Sequence, residues 1–205
     1  SSNRMVVYLV SGQRQLYEHC MSPFPLSGAL PGILANTSPI VEDTYPDADR
    51  ETSNWSSTPL WQKIDDKSTA DFIGSSSCFN RCGVGSCTYD FEVDIATPSG
   101  TVADGDRQGL QVYVQVRRVD DSGTGHDADM TVILREGATT RKSATFNNLG
   151  TGWSSKVLTL SAAEVDAIGN HANLRVDVSI TMCTALDFDS VSADCSSIYL
   201  RYYAR

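Results

Sequence analysis

The sequence has no apolar run long enough to span a membrane and few residues suited to acid–base catalysis. Its best uninterrupted apolar run, Met5 to Val10, has six residues, whereas a membrane helix needs about 20. The three histidines, His19, His126 and His171, lie in no recognised catalytic motif. The sequence therefore predicts a soluble, noncatalytic protein. His126 and His171 lie in polar, turn-like stretches, which predicts that they are solvated.

Positive charge is scarce as well. Lysine and arginine total 16 against 25 aspartates and glutamates, which gives a net charge of −9. Such a surface repels the phosphates of a nucleic acid, so nucleic-acid binding is not expected. Charged residues make up only 20% of the chain, and serine, threonine and glycine separate short apolar runs. That pattern is typical of strands joined by turns.

Alternation of apolar and polar residues predicts most of the strands. In Tyr89–Ile95 the side chains of Phe91, Val93 and Ile95 share one face, as expected of a half-buried strand. One helical turn is predicted after Ser161, which can form a capping box with Glu164 and end at Gly169. The other predicted strands are Leu60–Asp65, Asp71–Ile73, Leu110–Val116, Met130–Leu134, Thr139–Phe146, Val157–Leu160, Leu174–Met182 and Ile198–Tyr202.

These elements predict an all-β fold. Eight or nine antiparallel strands with one short helix are typical of a two-sheet sandwich, most often of jelly-roll type. We expect this domain to span residues 46–205. Before it, residues 1–45 are expected to form two short N-terminal strands and an extended, proline-rich arm, because six of the seven prolines fall between Met21 and Pro59, where they exclude a central strand or a helix.

The arm carries apolar side chains but no means of forming its own core, so we expect it to attach to another molecule. The strand Met5–Val10 could also pair with the edge of a neighbouring sheet. These features predict a homo-oligomer, with a trimer favoured. The residues assigned to the assembly arm are Met5, Val7, Leu9, Phe24, Leu26, Leu30, Ile33, Leu34 and Ile40.

Six cysteines permit three disulfides in fifteen pairings. We favour a bond between Cys183 and Cys195 across the base of a predicted hairpin. The spacing Cys78-x3-Cys82-x4-Cys87 lacks the x2 steps of zinc knuckles, and we expect one local disulfide there, with the third cysteine reaching Cys20. Such disulfides suit an extracellular or particle-borne domain. A thiolate zinc site and six free thiols are the alternatives.

Two groups of carboxylates are candidate functional residues. Asp120, Asp121, Asp127 and Asp129 lie in a glycine-bearing stretch that could bind calcium, although the spacing misses the EF-hand pattern and an ordinary solvated hairpin connection explains it equally well. Glu92 and Asp94 share one face of a strand, as a glycosidase pair would, but the same alternation makes a solvated sheet face. Apart from calcium at this stretch and the alternative of zinc at the cysteines, the sequence predicts no cofactor.

Exposed aromatic rings could bind sugars by stacking. Trp153 is the main candidate for a glycan contact because glycines stand on either side of Thr151 just before it. The alternative is that Trp153 covers an open end of the sandwich. The other aromatic candidates are Trp55, Trp61, Tyr199, Tyr202 and Tyr203.

Over residues 46–204 the sequence resembles the β-sandwich domains of tailed-bacteriophage virion proteins. The resemblance is one of pattern, and it includes Trp55 and the stretches Leu60–Asp66, Asp71–Ile73, Gln111–Arg117, Thr131–Gly137, Leu158–Ile168 and Leu174–Val178. Head decoration proteins, head fibres and tail-associated proteins carry such domains. The resemblance therefore implies a structural or adhesive role and supplies no catalytic residues.

Taken together, the sequence leads to two hypotheses. The first is a noncatalytic structural component of a phage-like virion, at the virion surface, which attaches by its N-terminal arm to a capsid protein or to sister subunits. The second is a secreted carbohydrate-binding module or receptor adhesin that binds a cell-surface glycan with the same sandwich. The first depends on residues 1–45, whereas the second depends on exposed aromatic side chains such as Trp153.

Overall fold

The computed structural model describes residues 40–52, 54–56, 59–99, 107–120, 126–186 and 189–204. The predicted N-terminal strands, Cys20, Asp121 and the arm residues before Ile40 lie outside these ranges. The strands are β1 (Ile40–Thr44), β2 (Pro46–Glu51), β3 (Ile73–Gly74), β4 (Cys87–Ile95), β5 (Arg107–Asp120), β6 (Asp127–Glu136), β7 (Thr139–Phe146), β8 (Ser154–Ser161), β9 (Leu174–Cys183) and β10 (Val191–Ala204). The helices are α1 (Trp61–Ile64), α2 (Ala162–Asp166) and a 3₁₀ turn (His171–Asn173).

The strands form two antiparallel five-stranded sheets. One has the order β1-β10-β5-β8 with β3 paired to β10, and the other has the order β2-β4-β9-β6-β7. Strands adjacent in sequence, such as β8 and β9 or β9 and β10, repeatedly lie in different sheets, as in a jelly roll. The predicted fold class, an all-β antiparallel two-sheet sandwich of jelly-roll type, is confirmed. It was predicted with one short helix, whereas the described residues form two short helices and a 3₁₀ turn.

The core lies between the two sheets. Phe91 and Val93 of β4 are fully buried, as predicted from their alternation, and Ile95 is almost so. Strands β5 and β9 contribute alternate residues in the same way. Strand β10 is buried continuously from Ala193 to Ile198 and at alternate positions after that, including Tyr202 at 0% exposure. Burial on alternate positions of both sheets is the pattern that two packed faces require.

Local signals account for the turn and the helix that were predicted. Strands β6 and β7 pair as the expected hairpin, with Gly137 at φ 56° in the turn, a conformation that glycine adopts without strain. Helix α2 begins after Ser161, whose hydroxyl accepts from the Glu164 amide while the Glu164 carboxylate accepts from the Ser161 amide. The predicted capping box is confirmed.

The stretch Leu60–Asp65 is a helix and not the predicted strand. The Asp49 carboxylate accepts hydrogen bonds from the amides of Leu60 and Trp61 at 2.7 and 2.8 Å, which stabilises the start of a helix. Leu60 and Ile64 are both fully buried, and their spacing of four residues places them on one helical face. The prediction failed because this cap comes from a distant residue.

The sandwich also begins earlier than the sequence suggested. Strand β1 pairs with β10 from Ile40 to Thr44, so the predicted boundary between residues 45 and 46 falls between two strands of the sandwich. Ile40, which was assigned to the arm, is part of the sheet. Both β1 and β2 are edge strands, and Pro46 is the first residue of β2. Those are the positions at which a sheet accepts proline.

Candidate functional site

Two disulfides hold the cysteine loop that precedes β4. Cys78 is bonded to Cys87, and Cys82 is bonded to Cys183 at the end of β9. The first is the kind of local disulfide that was expected in this loop. The second shows that the predicted bonds from Cys183 to Cys195 and from the loop to Cys20 are wrong.

Sheet membership explains the wrong pairing. Cys183 ends β9 and Cys195 lies in β10, and these strands belong to different sheets, so they form no hairpin. Cys195 is instead a fully buried free thiol, and burial raises its pKa to about 12. A thiol in that environment is unreactive, which makes Cys195 a core residue.

The cysteine loop is also fixed by backbone hydrogen bonds. The amide of Cys82 donates to the carbonyl of Thr184 at 2.8 Å, and the amide of Thr184 donates to the carbonyl of Asn80 at 2.7 Å. Within the loop, the Asn80 side chain donates to the carbonyl of Ser86 at 3.3 Å. The loop is therefore attached to the end of β9 both covalently and by hydrogen bonds.

Three large apolar side chains near the Cys82–Cys183 bond face solvent. Phe79 is 64% exposed, Val84 is 85% exposed and Leu186 is 61% exposed. We call these three residues the apolar tip. Phe79 and Val84 lie on the cysteine loop, and Leu186 follows Cys183 just after β9. Isolated exposed apolar residues are common, but several of them close to one cross-link are typical of an interaction site. Sequence pattern does not distinguish the exposed Phe79 from its neighbour Cys78, which is fully buried, so this site was not predicted.

Trp153 belongs to a second surface group. Its ring meets that of Phe72 edge-on, with centroids 6.0 Å apart, and the Arg117 guanidinium lies 4.6 Å from the centroid of Trp153 and 5.5 Å from that of Phe72. Arg117 is in turn paired with Asp194 at 2.7 Å. We call these four residues the Trp153 cluster. Phe72 is 41% exposed and Trp153 is half-buried.

The other aromatic candidates divide between the core and one sheet face. Trp55 and Tyr202 are buried, so they are not available to a ligand. Tyr199 is stacked on Tyr113 with centroids 4.6 Å apart and an interplanar angle of 5°, and the ammonium of Lys67 lies 4.7 Å from the Tyr199 centroid. The ring of Tyr199 is thus already engaged by its neighbours. Trp61 and Tyr203 are half-buried.

Ion pairs and hydrogen bonds hold this tyrosine face together. The Gln111 side-chain oxygen accepts from the hydroxyls of Tyr113 and Tyr203 at 2.6 and 2.8 Å. Arg201 donates two hydrogen bonds to Asp43 at 2.7 and 2.8 Å, which lowers the pKa of Asp43 and raises that of Arg201. Because these groups satisfy one another, the face behaves as a structural network.

Three of the four proposed calcium ligands, Asp120, Asp127 and Asp129, are among the described residues. Asp120 ends β5 and binds Arg118 at 2.8 and 3.0 Å, whereas Asp127 and Asp129 belong to β6 in the other sheet. Asp129 accepts a hydrogen bond from the Asn148 amide at 2.9 Å. Among the described residues no group of three or more candidate ligands could hold a metal ion. Asp121 lies outside them, so calcium binding stays a prediction.

The carboxylates proposed as an acid–base pair are engaged in ion pairs. Glu92 contacts Arg175 at 3.0 Å and Asp94 contacts Arg50 at 2.6 Å. Glu92 and Arg175 line a shallow open depression of about 320 Å³ on the outer face of the second sheet. The other residues lining it are Glu51, Arg135, Gly137, Ala138 and Asp177.

The two described histidines are buried, contrary to the prediction that they are solvated. His126 is 5% exposed and its Nδ1 accepts from the Ala185 amide at 3.2 Å. His171 is 8% exposed and its Nδ1 lies 3.2 Å from the Tyr202 hydroxyl. Polar flanking residues suggested solvation, but partners distant in sequence place both rings inside the protein.

In the described part of the chain, no helix is long and apolar enough to cross a membrane.

No family model and no curated protein matches this sequence. One similar solved structure is that of the Stig cyclase Fisc from Fischerella sp. TAU in complex with an indole compound. It has 12% sequence identity and a TM-score of 0.39, and the match covers 86% of this chain and 81% of the cyclase.

Viral structures are also among the similar ones. The VP2 subviral particle of infectious bursal disease virus matches with 16% identity and a TM-score of 0.34, over 89% of this chain and 41% of VP2. Mud crab tombus-like virus matches with 10% identity and a TM-score of 0.24, over 94% and 93% of the two chains. The chain thus spans well under half of VP2. Similarities of this size do not assign a function.

Proposed function

We propose that this protein is a noncatalytic structural subunit of a virus-like particle, attached through its N-terminal arm to neighbouring subunits or to a capsid protein and exposed at the virion surface. The phage component suggested by the sequence resemblance, a decoration protein or fibre, is the specific form we propose. Jelly rolls serve many functions, so the proposal depends on residues of this chain and not on the fold.

The observation that carries the proposal is the position at which the arm joins the sandwich. The arm leads into the sandwich through the edge strand β1. The first two residues of β1, Ile40 and Val41, are 37% and 50% exposed. The segment from Met21 to Val41 contains no charged residue. This uncharged segment is rich in proline and apolar residues and continues into exposed apolar side chains. Its binding to a partner is favourable because it removes apolar surface from water.

Deletion of residues 1–39 tests this proposal because it removes the arm and leaves β1 intact. We expect the full chain to form an oligomer, with a trimer favoured, and the truncated chain to be monomeric in sedimentation velocity. Circular dichroism should show that the truncated protein keeps a β spectrum, since the deletion leaves every strand of the sandwich intact. Electron microscopy of the full-length assembly would show whether it forms closed particles. A truncated protein that still forms an oligomer with the same number of subunits as the full chain would refute the attachment role.

A deletion of residues 1–45 serves as the control for folding. It also removes β1, which pairs with β10 over five residues, and it removes Asp43, the partner of Arg201. We expect this protein to unfold at a lower denaturant concentration than the 1–39 deletion. The comparison separates the loss of attachment from the loss of sandwich stability.

The Trp153 cluster favours a second function, the binding of a cell-surface glycan. An indole ring held by Arg117 beside the exposed ring of Phe72 provides an aromatic surface of the type that packs on the apolar face of a sugar. A glycan array tests it with the wild type, Trp153→Ala, and Asp47→Asn as a control at an exposed position of the other sheet. Binding that is lost only in Trp153→Ala would support an adhesin, whereas no binding by the wild type would count against it.

A further inference from the structure

The apolar tip remains exposed because the structure prevents it from collapsing onto the sandwich. The disulfides Cys78–Cys87 and Cys82–Cys183 and the hydrogen bonds between Asn80, Cys82 and Thr184 fix the loop. Phe79 and Val84 nevertheless leave 64% and 85% of their surface in water. A cross-linked loop loses little conformational entropy on binding, so its apolar residues are preorganised for a partner.

The loop that carries Phe79 and Val84 and the proline-rich segment of the arm both lack acidic residues. From Ile73 to Tyr89 the chain has no aspartate or glutamate and one cation, Arg81, although the whole protein carries 25 acidic residues. The arm from Met21 to Val41 has no charged residue. Contact of the arm with Phe79 and Val84 would bury apolar groups without placing a carboxylate of either stretch in the interface, and burial of an unpaired carboxylate is costly.

The arm also has the length and composition of a ligand for this tip. The 39 residues before β1 include the apolar residues Phe24, Leu26, Leu30, Ile33 and Leu34, with prolines between them. Proline-rich segments bind to aromatic side chains at a low entropic cost, because their extended conformation is already restricted. Phe79 supplies such an aromatic side chain.

The topology places the start of the sandwich and the tip at opposite ends of β10. Ile40 is paired with Ala204, the last residue of β10, whereas Cys78 bridges to Val191, its first residue. A strand of this length extends over about 40 Å. A neighbouring subunit arranged head to tail would present its tip at the end of β10 where β1 begins.

We propose that the arm of one subunit, residues 21–39, binds the apolar tip of the next subunit. This inference rests on the proposed attachment role of the arm and identifies the surface that receives it. The contact joins two different surfaces, so it is heterologous, and it gives a closed ring if the rotation between subunits closes. A ring of three would be the trimer expected from the sequence.

Photo-crosslinking in the full chain tests the contact directly. Benzoylphenylalanine replaces Phe79, and the oligomer is assembled from a mixture of unlabelled and ¹⁵N-labelled subunits. Mass spectrometry should find crosslinks from position 79 to residues 21–39, with mixed-isotope pairs showing that they join different subunits. Crosslinks only within one chain, or only to a sandwich face, would overturn the proposal.

Substitution provides a second test. Phe79→Ser with Val84→Ser should weaken self-association by about tenfold or more, as expected for central apolar contacts. Both side chains are largely exposed, so the variant should fold. Phe72→Ser is the matched control, because Phe72 is an exposed aromatic residue of the Trp153 cluster. Equal association of the tip variant and the wild type would refute the role of the tip.

The two proposals fail differently. If the 1–39 deletion is monomeric while the tip variant associates as the wild type does, the arm has an attachment role but binds elsewhere, which overturns this inference alone. If the 1–39 deletion remains an oligomer, the attachment role itself is refuted. Loss of association in both proteins, together with intersubunit crosslinks, supports both proposals.

Discussion

The disulfide from Cys82 to Cys183 should contribute more to stability than the disulfide from Cys78 to Cys87. The two bonds join residues separated by 101 and 9 positions. In the chain-entropy model a cross-link stabilises the fold by restricting the unfolded chain, with a gain of about 4.7 kcal/mol for a loop of about 100 residues and about 2.6 kcal/mol for one of about 9. The model therefore predicts a difference of about 2 kcal/mol.

Burial of the cysteines reduces this difference. Cys78 is fully buried, so its replacement by alanine also removes a packed sulfur, at a cost of about 1 kcal/mol. Cys82 and Cys183 are only half-buried, so their replacement by alanine adds a smaller packing cost. We expect Cys82→Ala with Cys183→Ala to lower the free energy of unfolding by at least about 1 kcal/mol more than Cys78→Ala with Cys87→Ala.

Urea denaturation of the wild type and the two double variants, without reductant, measures these free energies. The long cross-link should also restrict the unfolded chain more, so its removal should raise the m-value by more than removal of the short one does. An equal loss of stability in the two variants, or a larger loss for the Cys78–Cys87 pair, would refute the reasoning. Reduction of the wild type should then lower its stability at least as much as the more damaging variant.

Two further predictions concern ion pairs and helix capping. The Arg201 guanidinium, together with Lys67, lowers the pKa of Asp43. The ionised Asp43 carboxylate therefore stabilises the fold fully above its unfolded-state pKa, and this stabilisation is lost as the pH falls through its lower folded-state pKa. Acid titration by circular dichroism should show a smaller loss of stability below pH 4 for Asp43→Asn than for the wild type or the exposed-site control Asp47→Asn. Ser161→Ala should reduce the free energy of unfolding by about 1 kcal/mol, measured in urea, and an unchanged midpoint would show that the capping box contributes nothing.

The parts of the fold that were predictable depend on neighbouring residues. Alternation in Tyr89–Ile95 requires only that one sheet face be buried, and β4 follows it. The capping box at Ser161 and the glycine turn at Gly137 are also short-range signals that no distant contact overrides. The same reasoning failed at Leu60–Asp65, where the helix is capped by Asp49 from a different element.

The candidate site was less predictable because it depends on which sheet each strand joins. Cys183 and Cys195 are close in sequence, yet β9 and β10 join different sheets, and Cys183 instead meets Cys82 across 101 residues. The burial of His171 beside Tyr202 has the same origin. Exposure of Phe79 follows from these long-range bonds as well, so sequence pattern alone gives it no distinctive signal.

Features of the edge strands β1, β2 and β7 oppose strand addition, the other route that the sequence suggested. Strand β2 starts at Pro46 and has two register shifts, which disrupt pairing with a further strand. At β1, Glu42 accepts hydrogen bonds from the Ser99 amide and hydroxyl at 2.7 and 2.5 Å, so a neighbouring segment lies against this strand. On the edge strand β7, Arg141 pairs with Glu136 and Lys142 with Glu164, and charged residues of this kind oppose edge association. A partner that avoids these three edges can bind exposed apolar side chains, as the proposed contact with the apolar tip requires.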